Sequence, residues 1–141
     1  MNPLKVLIVD DSDQVKQVLR LNLEDLGHTV VGQASNGIEA LELVNQLHPD
    51  LVTLDIIMPE MDGIECYRKL RTLAHPPRCL IISALSNEPR VIQAFDQEIL
   101  PDHFLPKNYE QDDLRGAIEL IWEQTPLPIP LPTTDEATEA Q

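Results

Sequence analysis

The sequence contains few of the residues that mark a zinc site or a disulfide framework. Only two of its 141 residues are cysteines, no CxxC pair is present, and the four histidines are scattered. Cys66 and Cys79 lie in segments typical of a helix and of a buried strand. We therefore expect two buried, reduced thiols rather than a disulfide, and no zinc site.

Basic residues are also scarce. Ten lysines and arginines stand against 24 aspartates and glutamates, which gives a formal net charge of −14 at pH 7. This charge repels the phosphate backbone of nucleic acids, whose binding depends mainly on Lys and Arg contacts. We expect no direct binding of nucleic acid. The acidic balance would instead add to a pocket for a hard divalent cation.

Long apolar stretches are missing as well. No apolar run approaches the roughly 20 residues that a bilayer-spanning helix needs, so we expect no membrane insertion. The N-terminus lacks the basic region, long apolar core and small-residue cleavage site of a secretory signal. These two absences predict a cytoplasmic protein.

Short apolar runs are present, and they alternate with helical patterns. A chain of 141 residues suits one domain with a single core. Strands of a parallel sheet are buried on both faces, so they form near-continuous apolar runs separated by helices. The five runs that we interpret as strands are Lys5–Val9, Thr29–Val31, Leu51–Leu54, Cys79–Ser83 and the shorter Phe104–Pro106.

The helical patterns show apolar residues at spacings of three and four, as on one buried helix face. Ser12 or Asp13 can cap the first helix, Gly27 ends it, and Asp62-Gly63 makes a turn before the third. We expect an α/β fold: a flavodoxin-like, doubly wound (βα)5 domain with five parallel strands in the order 2-1-3-4-5. The buried stripes are Val15, Leu19, Leu23 and Leu26; Ile38, Leu41, Val44 and Leu47; Ile64, Tyr67, Leu70 and Leu73; Val91, Phe95 and Ile99; and Leu114, Ala117, Ile118 and Ile121.

The composition changes after Trp122. Residues 125–132 alternate proline with other residues, which bars a helix or a central strand, and residues 133–141 are acidic and small. We expect one domain over residues 1–124, followed by a Pro-rich, acidic, disordered tail or linker over residues 125–141. A floppy end, a severed interdomain linker and a partner-binding motif all remain open for this segment.

Polar residues stand at the ends of the predicted strands. The first strand is followed by Asp10 and Asp11, the third by Asp55, the fifth by Lys107, and the fourth ends in Ser83-Ala84. In an open parallel sheet, functional groups gather outside the carboxyl ends of the strands, where the strand order reverses. With the order 2-1-3-4-5, strands one and three are neighbours. Three carboxylates would then meet at one edge of the sheet.

Such an edge is suited to a metal ion and a phosphoryl group. Close carboxylates repel, so they raise one another's pKa or bind a cation, and their oxygens suit Mg²⁺. An aspartate can accept a phosphoryl group when a metal and a fixed cation offset the charge on the transferring oxygens. Lys107 supplies such a cation, and the Ser83 hydroxyl can donate to a phosphoryl oxygen. Any one of these residues alone is more often a cap or a solvated side chain.

Four segments resemble the receiver domains of bacterial two-component systems. They are Lys5–Ser12, Pro49–Gly63, Leu80–Ala84 and Phe104–Lys107, and the resemblance covers about residues 4–123. It implies a response regulator that accepts a phosphoryl group from a sensor histidine kinase or phosphotransfer protein. The only catalysis it implies is the domain's own Mg²⁺-dependent phosphorylation and dephosphorylation. The signal would pass to a downstream protein through the face of helix four, strand five and helix five.

The resemblance also implies roles for the acidic residues. Asp55 corresponds to the phosphoacceptor and Asp11 to a direct Mg²⁺ ligand. Asp10 corresponds to the family's second acidic residue, which often acts through water. The backbone carbonyl of Ile57 would complete the protein ligands of the cofactor Mg²⁺.

Further positions correspond to the family's switch and tuning residues. Lys107 would pair with the phosphoryl group, and Ser83, followed by Ala84, would move toward it on activation. Phe104 occupies the aromatic switch position, although simple core packing explains it equally well. In the family, the residues at the positions of Ile57 and Leu85 help to admit and orient the water that hydrolyses the aspartyl phosphate.

The sequence departs from the family pattern in two places. Asn108 follows the lysine where the family usually has proline, so the cis peptide usual there is expected to be absent or strained. Residues Glu98–Asp102 lack the Gly-Ala turn common before strand five. We therefore expect an unusual surface where the fourth helix meets the fifth strand.

Other functions fit the residues less well. A Mg²⁺-dependent phosphatase similar to the haloacid dehalogenases needs a second Asp two residues after its nucleophile, where this chain has Ile57. A nucleotide-binding flavodoxin-like protein needs a glycine-rich phosphate cradle, which the turn Asp10–Asp13 lacks. A scaffold-only pseudo-receiver would not need an intact acidic and lysine set. A stand-alone receiver is favoured over the N-terminal piece of a longer regulator, and its kinase, target and oligomeric state stay open.

Overall fold

The computed structural model describes residues 3–85, 88–94 and 103–124. Within them, strands and helices alternate along the chain, as the sequence predicts. The elements are β1 (Lys5–Val9), α1 (Asp13–Asp25), β2 (Thr29–Ala34), α2 (Gly37–Leu47), β3 (Leu51–Leu54), α3 (Gly63–Arg71), β4 (Arg78–Ile82), α4 (Pro89–Ala94), β5 (Phe104–Leu105) and α5 (Gln111–Gln124).

The strands form one parallel sheet in the order β2-β1-β3-β4-β5, which confirms the predicted fold class and strand order. Val9 at the end of β1 pairs with Ala34 on one side and with Leu54 on the other. Because these strands end at the same level, the residues that follow them emerge together at the carboxyl edge of the sheet.

Three strands differ from the prediction in their bounds. The second strand continues from Val31 to Ala34, since residues 32–34 pair with β1 although the apolar run has ended. The fourth strand runs from Arg78 to Ile82, so that Ser83 lies just beyond it. The fifth strand ends at Leu105, one residue before the predicted Pro106. In all three strands backbone pairing, rather than side-chain polarity, sets the bounds.

The core has one apolar layer on each face of the sheet, as a doubly wound fold requires. One layer joins Leu7, Val9, Val52, Leu54 and Ile81 to α2 and α3. The other layer joins the sheet to α1 and α5 through residues that include Val6, Ile8, Leu51, Leu80, Leu19, Leu23, Leu114, Ile118 and Ile121. Alternate residues of the same strands therefore face opposite layers.

The predicted stripe of α2 is wrong at one end. Ile38 is 44% exposed, and the buried face of the helix runs through Gly37, Ala40 and Val44 instead. A Cβ atom at Gly37 would lie 2.8 Å from Sδ of Met61. The helix therefore packs closely there through small residues, which an apolar-residue pattern does not detect.

The predicted stripe of the fourth helix is described only at its start. Val91 packs partly against the core layer that contains α2 and α3. Phe95 and Ile99 lie outside the described residues, so their burial stays a prediction.

The predicted helix caps fall close to the observed ones. Ser12 caps α1, since its side chain accepts a hydrogen bond from the Val15 N–H, and Gly27 follows the helix with a positive φ of 95°. Asp62 caps α3 by accepting from the Glu65 N–H at 2.9 Å. The aspartate of the predicted Asp62-Gly63 turn is thus a helix cap.

Both cysteines are free and buried, as predicted. Burial raises the pKa of the Cys66 thiol to about 12 and also raises the pKa of Cys79. Neither thiol is therefore reactive at neutral pH.

The predicted tail, residues 125–141, lies outside the described residues. Within the described residues, none of the helices has both the length and the apolar character needed to cross a membrane.

Candidate functional site

The strand ladder itself sets the positions of two aspartates at the carboxyl edge. The Asp10 N–H donates to the Ala34 carbonyl and the Asp55 N–H donates to the Val9 carbonyl, both at 3.0 Å. Each aspartate thus continues the hydrogen-bond ladder one step past its strand. Both residues are only 3% exposed. Their carboxylates are therefore held side by side in a largely dry position.

Asp11 completes an acidic cluster with these two residues. One carboxylate oxygen from each of Asp10, Asp11 and Asp55 lies within 4.8 Å of the others. Asp11 is exposed, whereas its two neighbours are buried. The structure therefore brings together the three carboxylates that the predicted strand order would place at one edge, and leaves one of them open to solvent.

Lys107 bridges the two buried members of the cluster. Its Nζ lies 3.0 Å from Asp55 Oδ2 and 3.1 Å from Asp10 Oδ2. Burial by itself would lower the pKa of Lys107, but the hydrogen bonds and charges of Asp55 and Asp10 outweigh it and raise that pKa. The lysine is thus a firmly protonated cation at neutral pH.

The remaining oxygens of the two buried carboxylates accept backbone hydrogen bonds. Asp10 Oδ1 accepts from the Ser12 N–H at 2.9 Å, and Asp55 Oδ1 accepts from the Ile56 N–H at 2.8 Å. Burial still raises the pKa of Asp10, and the negative charge of Asp55 adds to this rise, against the hydrogen bond from Ser12 and the attraction of Lys107. A second cation at the cluster would relieve this repulsion.

The donor atoms of the cluster fit Mg²⁺. All three candidate ligands are carboxylate oxygens, and Mg²⁺ prefers oxygen donors while keeping several of its waters. The solvent-exposed Asp11 leaves room for such waters on its side. The backbone carbonyl of Ile57 belongs to the segment that directly follows Asp55.

The other predicted residues lie around the same edge. Ser83 is fully buried; its N–H donates to the Leu105 carbonyl at 3.0 Å and its Oγ accepts from the Leu85 N–H at 3.2 Å. Ala84 is exposed. Phe104 and Leu85 are partly buried and pack against the layer formed with α2 and α3.

Two further expectations concern this region. The Lys107–Asn108 peptide bond is trans, in agreement with the expectation that the family's usual cis peptide is absent. Residues 98–102 lie outside the described residues, so the expectation of an unusual surface before β5 stays a prediction.

The side chain of Ile57, whose backbone carbonyl is a predicted Mg²⁺ ligand, is 58% exposed.

Gly63, which the sequence predicts only as part of a turn, packs directly against the backbone of Asp55 and Ile56. Its N–H donates to the Ile56 carbonyl at 2.8 Å, and a Cβ atom there would lie 2.1 Å from the Asp55 carbonyl oxygen. Only glycine allows α3 to begin this close to the backbone of Asp55. The sequence did contain a signal for this role. Gly63 directly follows an aspartate that can cap a helix, so it could be read as the first residue of the helix instead of a turn residue.

Comparison with known proteins agrees with this geometry. The family model "Response regulator receiver domain" matches residues 6–119. The chain is 33% identical over 116 residues to "Chemotaxis protein CheY" of Listeria monocytogenes, covering 82% of this chain and 96% of that protein. It is 41% identical over 95 residues to a protein-glutamate methylesterase/protein-glutamine glutaminase of Myxococcus xanthus, covering 67% of this chain but only 27% of that protein.

A solved structure shows the same fold. CheY in the complex "CheX-CheY-BeF3-Mg+2" from Borrelia burgdorferi superposes with a TM-score of 0.76 at 26% identity, over 87% of this chain and 92% of that one. Receiver domains are signalling domains rather than metabolic enzymes. The family model matches most of the chain, a relative is 33% identical over 82% of it, and a solved structure has the same fold. This protein therefore belongs to the response regulator receiver domains of two-component signalling.

Proposed function

We propose that Asp55 accepts a phosphoryl group from a sensor histidine kinase or a phosphotransfer protein, and that the phosphorylated domain then acts on a downstream protein. In the transfer from phosphohistidine, an Asp55 carboxylate oxygen bonds to phosphorus while the phosphorus–nitrogen bond breaks. The imidazole leaves with the bonding electron pair and takes up a proton. Asp55 is assigned this role because its segment, Pro49–Gly63, resembles the receiver motif around the phosphoacceptor.

One observation carries the proposal: Lys107 Nζ lies between Asp55 Oδ2, at 3.0 Å, and Asp10 Oδ2, at 3.1 Å. A phosphoryl group brings further negative charge into a cluster that already holds three carboxylates. A protonated amine in direct contact with the nucleophile stabilises that charge, because the two carboxylates that it contacts are buried. The intact set of three carboxylates and one lysine also argues against a receiver-like scaffold without phosphoryl chemistry.

Asp10, Asp11, Asp55 and the backbone carbonyl of Ile57 would hold Mg²⁺. When bound, the ion supplies positive charge that offsets the charge on the phosphoryl oxygens. Ser83 would move toward the phosphoryl group and donate a hydrogen bond from its hydroxyl to a phosphoryl oxygen. Ala84 would move with Ser83, and Phe104 would change its position in response. The chain's own residues thus supply the nucleophile, one fixed cation and one hydroxyl donor.

The test is phosphorylation by acetyl phosphate, a donor that needs no partner protein. The parent should gain one phosphoryl group in the presence of Mg²⁺ and none when the metal is chelated, as followed by intact mass. Asp55→Asn should gain none, because an amide is not a competent nucleophile. Asp13→Asn is the matched control, since the Asp13 side chain is 99% exposed and lies outside the acidic cluster. Acid-labile phosphate retained on Asp55→Asn would contradict the assignment.

The mode of output is a separate part of the proposal. The domain would act in the cytoplasm as a stand-alone protein, through partner binding at the face of α4, β5 and α5. The alternative is an N-terminal receiver of a longer regulator with its own output domain. The length of the Myxococcus xanthus relative, of which the chain spans 27%, favours the alternative, while the 96% span of CheY favours the stand-alone form.

Two measurements separate these forms and identify the donor. An immunoblot of host cells should show a band near 15.9 kDa for a stand-alone protein and a larger one for a longer regulator. Phosphotransfer profiling against the complete set of histidine kinases of the host should then single out one kinase that phosphorylates the parent much faster than all others. Equal transfer from every kinase would contradict a dedicated donor.

A further inference from the structure

A pocket of about 420 Å³ lies at the end of the sheet opposite the acidic cluster. It is formed by the end of α2, by the loop before β3, by the loop before β4 and by Trp122 in the last turn of α5. Pro49, Pro76 and Pro77 contribute to its wall together with Leu73 and Trp122. Its volume is in the range of sites that bind small ligands or peptide side chains. The proposed phosphorylation chemistry makes no use of this pocket.

Trp122 is the only tryptophan of the chain and is partly buried. The Arg78 guanidinium stacks over its ring, with Cζ 3.7 Å from the ring centroid. Such stacking holds the indole in one orientation. The ring surface that lines the pocket is thus a rigid aromatic wall beside prolines, the type of surface on which proline-rich segments dock.

Positive charge is concentrated near this pocket. Four of the ten lysines and arginines of the chain fall between residues 68 and 78, although the net charge is −14. Three of them, Arg68, Lys69 and Arg71, occupy the last turn of α3, shortly before the pocket-lining Leu73. Asp50 is acidic and lines the pocket itself, so the attraction for an acidic segment lies at the last turn of α3.

The chain itself carries a segment of matching chemistry. Residues 126–132 read Pro-Leu-Pro-Ile-Pro-Leu-Pro, and three of the last seven residues, Asp135, Glu136 and Glu139, are acidic. Helix α5 ends at Gln124, so the proline-rich run starts only four residues after the pocket-lining tryptophan. Eight residues from position 125 span roughly 25 Å at the rise of a polyproline helix, about 3.1 Å per residue. The segment can therefore reach along the pocket without a long intervening linker.

We propose that the pocket binds the C-terminal segment of the same chain. Residues 126–132 would lie against Trp122 and the prolines of the wall, and the acidic residues that follow would approach the basic last turn of α3. Attachment at Gln124 gives the segment a local concentration on the order of millimolar, so that weak contacts suffice. A segment from a second copy is disfavoured because two chains of charge −14 repel each other. This inference does not depend on the proposed phosphorylation of Asp55.

The single tryptophan gives a direct test in the full chain. Acrylamide quenching of Trp122 fluorescence should increase at least about twofold in the triple variant Leu127→Ser, Ile129→Ser, Leu131→Ser, because the cover of the indole is lost. The matched control Thr133→Ser, Thr134→Ser, Thr138→Ser changes the same number of residues in the C-terminal segment and should quench like the parent. Equal quenching in all three proteins would overturn the proposal.

A spin label then locates the segment. A nitroxide on Thr133→Cys reacts selectively, since both native thiols are buried and their pKa values are raised. It should broaden the amide signals of His48, Ala74 and His75 and spare those near Asp11. Broadening that is confined to α5, or spread evenly over the surface, would contradict docking in the pocket.

Mixing experiments identify the occupant. When spin-labelled protein at natural isotope abundance is mixed with isotope-enriched protein that carries no spin label, the pocket signals should stay sharp. Broadening in the mixture would show that the segment comes from another copy and would overturn the assignment to the same chain. If the amide signals of the pocket residues shift only when a separate host protein is added, the pocket binds a partner protein, and the assignment to the same chain is overturned.

Discussion

At the scale of single residues, Asp10 and Asp55 each divide their two carboxylate oxygens between a backbone N–H and Lys107. Each side chain is thereby held in one orientation, because both of its oxygens have fixed partners. Asp11 has a different environment, since it is exposed. The two buried carboxylates are thus fixed in position, and the third is open to water.

The residues two positions after Asp55 and two positions after Ser83 lead to a prediction about how long a phosphorylated state would last. Ile57 and Leu85 are apolar, so neither side chain can orient an attacking water by a hydrogen bond. We expect the phosphoryl group to persist well beyond that of receivers with polar residues at these positions. Losing one orienting interaction costs on the order of tenfold to a thousandfold in rate, or roughly 1.4–4 kcal/mol of barrier.

The measurement is the decay of purified phosphoprotein in Mg²⁺. The double variant Ile57→Asn, Leu85→Glu should lose its phosphoryl group at least about tenfold faster than the parent. The matched control is Val18→Asn, Leu21→Glu, which makes the same kinds of change at two exposed apolar residues of α1. Decay of the parent within seconds, or no acceleration in the first variant, would refute the idea while leaving the family assignment intact.

At the scale of elements, the start of α3 depends on Gly63. The Asp55 carbonyl oxygen lies only 2.1 Å from where a Cβ atom would be, and this oxygen belongs to the backbone and cannot rotate aside. The helix therefore begins in contact with the backbone of Asp55 and Ile56. A larger residue would push the two apart and move Asp55 relative to Lys107.

Glycine-to-alanine substitutions at two positions should have opposite effects on stability. Gly63→Ala should lower the free energy of unfolding by about 1–3 kcal/mol through overpacking. Gly116→Ala should raise it by about 0.5–1 kcal/mol, because alanine is the better helix former and a Cβ atom at Gly116 meets nothing within 4 Å. Urea unfolding measures both. Equal effects of the two substitutions would contradict the close approach at Gly63.

At the scale of the whole molecule, the burial of His28 predicts that stability depends on pH. It is buried, and its Nδ1 accepts a hydrogen bond from the Leu4 N–H at 3.1 Å. Burial lowers the pKa of His28 in the folded protein below its ordinary value of 6.5. The unfolded chain therefore binds a proton more readily than the folded one. This contribution to stability is complete above the unfolded pKa and is lost as the pH falls from there toward the folded pKa.

We expect the free energy of unfolding to fall between pH 7.5 and pH 5.5, and part of this fall to disappear in His28→Asn. The side-chain oxygen of asparagine can take the place of Nδ1 as the acceptor of the hydrogen bond from the Leu4 N–H, and asparagine does not titrate. The matched control is His75→Asn, since His75 is exposed. Urea unfolding at several pH values is the measurement. If His28→Asn and the parent show parallel pH dependences, His28 does not contribute.

The sequence by itself determined the order of the elements and the residues at the carboxyl edge. Buried parallel strands require continuous apolar runs, so Lys5–Val9 and Leu51–Leu54 are visible without a structure. A polar residue directly after such a run must lie at the strand's end. Asp10 and Asp55 could therefore be assigned to one edge once the strand order was inferred.

Only the tertiary structure decided how distant segments meet. The bridge from Lys107 to both carboxylates, the close approach of Gly63 and the exposure of Ile38 depend on packing between elements far apart in sequence. The pocket likewise joins loops before β3 and β4 to the end of α5. Local patterns record which side of an element is apolar, but they do not record the distances between elements, which the packing of the complete core sets.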